Sequence, residues 1–128
     1  MAVRLCYRLW LDANGKAFGK GPYELLTAVS QYGSLNEAAK KLGMSYSKAW
    51  KLVNMIEDRL GFTLLYREAG GSGGGGSYLT PEAEEFLRKY SQFLAEADQV
   101  LAELFQKHFA PVTTPRDAAG AVPCNRTQ

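Results

Sequence analysis

Two short helical patterns stand almost end to end near the middle of the chain, and they limit the possible folds more than any other feature. Ser34-Leu35-Asn36-Glu37 opens the first. A serine N-cap with a glutamate three residues on is a capping box. Leu35, Ala38, Ala39 and Leu42 form its inward face, and Gly43 stops it. Only Met44 separates Gly43 from the next N-cap, Ser45. The second pattern runs from about Tyr46 to Leu60, with Gly61 as its stop. Ala49, Leu52, Val53, Ile56 and Leu60 recur at helical spacing and form its core face. Tyr46, Ser47, Trp50, Lys51 and Asn54 lie on the opposite side. The small pair Ala38-Ala39 lets the two axes approach closely. A helix, a tight glycine turn and a second helix with a polar, basic outer face make a helix-turn-helix pattern.

The flanks extend this pattern. Val3, Leu5, Tyr7, Leu9 and Leu11 alternate with Arg4, Cys6, Arg8 and Trp10, the period of a half-buried strand. Asn14-Gly15 then signals a hairpin turn into a short strand over Ala17-Phe18-Gly19. Pro22 is placed to begin a helix whose face is Tyr23, Leu26, Val29 and Ser30, flanked by Leu25, and Gly33 ends it. After the helix pair, Phe62–Arg67 is rich in β-formers, and Tyr78-Leu79-Thr80 follows a glycine run over residues 69–77. Two short strands joined by such a loop form a wing. The glycine run also admits a linker or an engineered splice by composition. A phosphate loop is disfavoured, because no Gly-Lys-Ser/Thr ending is present. Thr80-Pro81-Glu82-Ala83-Glu84 begins a last helix, with a threonine cap, proline in first place and acids in the first turn. That helix runs to about Phe109. Phe86, Leu87, Tyr90, Phe93, Leu94, Ala97, Leu101 and Leu104 make a broad apolar stripe with heptad repeats. The stripe reads either as a core face or as a dimerisation surface. Residues 110–128 have three prolines and no apolar period, and are expected to be largely unstructured.

The expected fold class is therefore mainly α with small β elements (α+β): a winged helix-turn-helix with an N-terminal β-hairpin and a long C-terminal dimerisation helix. Residues 1–109 form the domain and 110–128 its tail.

Charge is polarised within a chain whose net charge is only +2. Residues 1–67 carry +5 and residues 78–109 carry −3. A molecule of this kind suits an anionic partner on one side. Cys6 and Cys124 match no metal spacing and no disulfide framework. One histidine, His108, gives neither a histidine-based metal site nor a Ser-His-Asp triad. The acidic pairs Glu84-Glu85 and Glu57-Asp58 sit at solvated helical positions. No enzyme, metal or cofactor is expected. The N-terminus has no uninterrupted apolar region for a signal peptide, and no run is long enough to cross a membrane, so a cytoplasmic location is expected.

Several of these residues carry a resemblance. They are Ser34-Leu35-Asn36-Glu37-Ala38-Ala39-Lys40, Gly43-Met44-Ser45-Tyr46-Ser47-Lys48-Ala49-Trp50, Leu65-Tyr66-Arg67-Glu68, the glycine-rich wing and Leu79-Thr80-Pro81-Glu82. Over residues 3–109 the chain resembles the N-terminal DNA-binding domain of the molybdate-responsive ModE-type transcriptional regulators, which is similar to that of LysR regulators. The resemblance implies a natural wing rather than a splice. It also implies a homodimeric, sequence-specific regulator of transcription linked to molybdenum or related metabolism. Those regulators continue into β-barrel modules that bind molybdate. The present chain reads as the DNA-binding half alone, so no molybdate is expected to bind it directly.

A recognition helix reads bases from its first turns. Those turns offer Ser45, Tyr46, Ser47, Lys48, Trp50, Lys51 and Asn54. Lys48 or Lys51 suits a guanine edge or a phosphate, and Asn54 suits adenine. The hydroxyls of Ser45, Tyr46 and Ser47 suit phosphates or bases. Trp50 either caps the core or touches a thymine methyl or sugar. Ser34 begins a helix whose N–H groups favour phosphate. Lys40 and Lys41 are either solvated charges or backbone contacts. Arg67, at the base of the wing, suits a phosphate or the minor groove. Gly71, Ser72, Gly73 and Gly74 let the wing backbone come close to the sugar-phosphate chain. A dimer would address half-sites of double-stranded DNA about 34–36 Å apart. The alternative is a winged-helix protein-interaction module that uses the acidic long helix.

Overall fold

A computed structural model describes residues 3–67, 76–110 and 122–123. The order of elements is β1 (Cys6–Tyr7), β2 (Leu11–Asp12), β3 (Lys16–Phe18), α1 (Lys20–Tyr32), α2 (Leu35–Lys41), α3 (Tyr46–Leu60), β4 (Leu65–Arg67), β5 (Ser77–Leu79), α4 (Pro81–Phe109) and β6 (Val122–Pro123). The chain divides into two compact units, Trp10–Arg88 and a second built from Met1–Leu9 with Lys89–Gln128.

In the unit Trp10–Arg88, Leu25, Leu26 and Val29 of α1 meet Leu35, Ala38 and Ala39 of α2 and Ala49, Val53 and Ile56 of α3 in one buried core with Phe18 and Leu64. The alanines keep the crossing close, as the sequence pattern demands. Both helices of the turn begin on serine caps: Ser34 Oγ accepts from Glu37 N–H at 2.9 Å and Ser45 Oγ from Lys48 N–H at 3.1 Å. Gly33, Gly43 and Gly61 have φ of 71°, 72° and 85°, the left-handed conformation that closes a helix without a Cβ clash. Pro22 does not begin α1. The helix starts at Lys20 with Gly19 as N-cap, and Pro22 still falls in the first turn, where its missing N–H costs nothing. Ser30, placed on the inner face by spacing, is exposed.

The N-terminal segment keeps its alternation of half-buried and exposed residues from Val3 to Asp12, yet it is not one continuous strand. Cys6–Tyr7 pairs in parallel with Val122–Pro123, whereas Leu11–Asp12 pairs antiparallel with β3. The ladder breaks because its two ends serve different units. Asn14 and Gly15, with φ of 57° and 122°, turn the β2–β3 hairpin. The Arg59 guanidinium donates to the Lys16 carbonyl and lies where a Cβ on residue 15 would stand. Within residues 110–128, Val122–Pro123 forms β6; residues 111–121 and 124–128 lie outside the described residues.

β4 and β5 form the two-stranded wing base, with Leu65 opposite Leu79, Tyr66 opposite Tyr78 and Arg67 opposite Ser77. The leucines are buried and the tyrosines exposed, the period-two outcome of a strand pair with one covered face. Thr80 then caps α4. Its Oγ1 accepts from Ala83 N–H at 3.0 Å and donates to the Thr63 carbonyl at 2.6 Å, and its N–H donates to the Leu64 carbonyl at 2.9 Å.

In the second unit, Tyr90 is 3% exposed and donates its hydroxyl to the Leu9 carbonyl at 3.3 Å. Phe105 is buried, with Phe109 beside it at 5.5 Å between centroids. No helix among the described residues is long and apolar enough to cross a membrane.

Candidate nucleic-acid interface

The outer face of α3 gathers most of the candidate residues. Tyr46, Ser47, Lys48, Lys51 and Asn54 are all exposed along it. The first carboxylate in the helix is Glu57, so the first three turns present cations without local counter-charge. Glu57 itself is turned to structural work, accepting from Leu64 N–H at 2.7 Å. Trp50 differs from its neighbours. It is half-buried, its indole nitrogen is enclosed, and its ring meets Tyr46 edge to face with centroids 6.3 Å apart and planes at 84°. The hydroxyl oxygens of Ser34 and Ser45 face their own helices as caps, so each first fixes a helix start.

The two lysines at the end of α2 are not equivalent. Lys40 Nζ is paired with the Glu37 carboxylate at 3.5 Å. Lys41 Nζ lies over the ring of Tyr32, 5.5 Å from its centroid, a cation–π contact, and among the described residues no acid is paired with it. The sequence offered no signal for this pairing, because Tyr32 and Lys41 belong to different helices.

The wing base is pressed onto the junction between α1 and α2. Ser77 N–H donates to the Gly33 carbonyl at 2.9 Å. A Cβ on residue 76 would stand 2.9 Å from that same oxygen. Gly71, Ser72, Gly73 and Gly74 lie outside the described residues, as does the side chain of Arg67.

The apolar stripe of α4 divides. Phe86 is half-buried, packing edge to face on Phe18 at 4.8 Å and lying 5.8 Å from Phe62. Tyr90 is spent within its own unit. Leu87, Leu94, Ala97 and Leu101 are half-buried. Phe93, Val100 and Leu104 are 50%, 53% and 46% exposed, and Phe93, Ala97 and Val100 line a shallow groove with Lys89, Gln92 and Glu96. Arg88 and Glu85 form a close exposed pair at 2.6 Å, and this carboxylate raises the guanidinium above its ordinary pKa. Among the described residues no group of three or more His, Cys, Asp or Glu is placed to hold a metal ion.

Residues 23–84 match the family described as bacterial regulatory helix-turn-helix protein, lysR family. The molybdenum-pterin-binding protein MopB of Rhodobacter capsulatus is 32% identical over 97 residues, 76% of this chain and 36% of that protein. The transcriptional regulator ModE of Yersinia pestis is 34% identical over 109 residues, 85% of this chain and 36% of that protein. The chain thus spans about a third of the length of these curated relatives. Among solved structures, the BenM DNA-binding domain in complex with benA site 1 DNA superposes on 66% of this chain and 92% of its own with a TM-score of 0.50, at 24% identity, a likeness of fold. Residues 23–84, with two serine-capped helices around a glycine turn and a β-wing set against them, are a helix-turn-helix domain of the lysR type.

Proposed function

We propose that the chain is a sequence-specific, homodimeric regulator of transcription that binds double-stranded DNA, linked to molybdenum or related metabolism. The carrying observation is the face of α3, where Lys48, Lys51, Asn54, Ser47 and Tyr46 are exposed together and no carboxylate lies in the first three turns. A duplex is a dense line of phosphates, and such a face gains free energy by displacing its counterions. Lys48 and Lys51 then take a guanine edge or a phosphate, and Asn54 takes adenine. Lys41, held over Tyr32, and the wing residues Arg67 and Gly71–Gly74 add backbone contacts. In this reading residues 1–109 act as one DNA-binding domain. The exposed stripe Phe93, Val100 and Leu104 of α4 meets its counterpart in a second copy, with Leu94, Ala97 and Leu101 at its margin. These residues supply DNA reading and no molybdate site.

The test is binding to a pool of mixed duplexes across a salt series, beside a Lys48→Glu/Lys51→Glu variant. Binding by the parent chain is expected to fall steeply with salt and to be lost in the variant. Equal, salt-insensitive binding by both proteins would remove the reading and direct attention to a protein partner for the acidic α4.

A further inference from the structure

We propose that Trp50 is a positioning residue that holds the Tyr46 ring, and that Tyr46 reads a thymine methyl group in the major groove. The inference rests on α3 being the recognition helix, and it changes the part Trp50 plays. Spacing alone puts both rings on one face and leaves Trp50 either a cap on the core or a contact with DNA. The structure makes them unequal. Trp50 is half-buried with its indole nitrogen enclosed, so its body belongs to the domain. Tyr46 is 44% exposed, in the first turn of α3. The rings meet edge to face at 6.3 Å and 84°, an arrangement that aromatic quadrupoles favour. The indole therefore acts as a backstop, and the phenol ring stands in front of it already ordered.

That order has a use. A long side chain loses rotamer freedom when it docks, and a ring ordered in advance avoids much of this cost. Around Tyr46 the exposed face is polar: Ser47, Lys48, Lys51 and Asn54. Tyr46 is its one large ring. On the DNA side, the C5-methyl of thymine is the apolar feature of the major groove. An ordered ring edge on an otherwise hydrogen-bonding surface matches that feature. A phosphate contact through the phenol hydroxyl is the competing use of the same side chain.

The probe is the duplex most enriched by the parent chain from a randomised pool, remade with deoxyuridine in place of each thymine in turn. The parent chain is expected to lose about fourfold in affinity at one thymine, the factor for roughly one buried methyl group. Tyr46→Ala and Trp50→Leu are expected to bind both duplexes equally while keeping the salt slope of the parent. Tyr46→Phe and Trp50→Phe should retain the methyl preference. The double variant Tyr46→Ala/Trp50→Leu should discriminate no less than Tyr46→Ala alone. A folded Trp50→Leu protein that still prefers thymine would overturn the proposal, as would loss of affinity without methyl dependence in Tyr46→Phe. A second measurement does not depend on these variants folding. In a Trp10→Phe background, Trp50 fluorescence should be shielded from iodide both with and without the duplex. Protection that appears only on binding would make Trp50 a contact residue and sink its positioning role. If the parent chain enriches no duplex and binds none in a salt-dependent way, the reading of α3 itself fails. If it binds well with no methyl effect anywhere, only the present inference fails.

Discussion

Thr80 shows how much one buried hydroxyl can carry. It is 1% exposed, caps α4 through Ala83 N–H, and donates to the Thr63 carbonyl. Thr80→Val keeps the shape and removes both bonds, leaving two backbone groups without their partner. Its expected cost is about 2 kcal/mol, read as a lower midpoint in urea with an unchanged slope. The cap was legible in Thr80-Pro81-Glu82, because capping is a local contest between a side chain and the next three N–H groups. The bond to Thr63 was not, because it joins positions 17 apart in sequence. Gly76 is a second case. A Cβ there would stand 2.9 Å from a backbone oxygen, which no side-chain rotation relieves. Gly76→Ala is expected to separate β5 from Gly33, with faster amide exchange at Ser77 and a loss of about 1–3 kcal/mol.

At the scale of elements, α2 and α3 keep the bounds that their caps and glycine stops set, within a residue at each end. A serine N-cap and a left-handed glycine are enforced by the backbone itself, so tertiary contacts have little left to decide. The two lysines that end α2 are where local reading stops. Lys40 shares its charge with Glu37 on its own helix, whereas Lys41 is turned onto Tyr32 of α1. Lys41→Gln is therefore expected to reduce the salt slope of DNA binding by about 1, and Lys40→Gln by clearly less, in a titration against potassium chloride. The stripe on α4 divides for a related reason. Helical spacing of four and three places Phe86, Tyr90 and Phe93 together on one apolar stripe. It does not identify which neighbours reach them, and Phe18, Phe62 and Leu9 claim the first two.

At the scale of the whole molecule, charge and exposed apolar surface are set apart in sequence: cations on α3, and the open stripe Phe93, Val100 and Leu104 on α4. If the stripe is the dimer surface, Val100→Glu/Leu104→Glu should sediment as a monomer with its helix content intact and should bind a two-half-site duplex far more weakly. Lys48→Glu/Lys51→Glu should remain a dimer while losing DNA. The same experiment that finds both variants dimeric would exclude the stripe. The sequence by itself determined the helix pair, its caps and turn, the Asn14-Gly15 hairpin, the wing strands and the basic face of α3. Each depends on residues close together in the chain, where periodicity, caps and φ preferences act directly. Only the tertiary structure decided that the N-terminal strand is shared between two ladders and that β6 joins it. It also decided that Phe86 packs on Phe18, that Tyr90 is buried, that Lys41 rests on Tyr32, and that Trp50 is half-buried while Tyr46 is exposed. Those outcomes depend on which surfaces meet, and burial free energy is assigned by contact between distant residues, not by spacing along the chain.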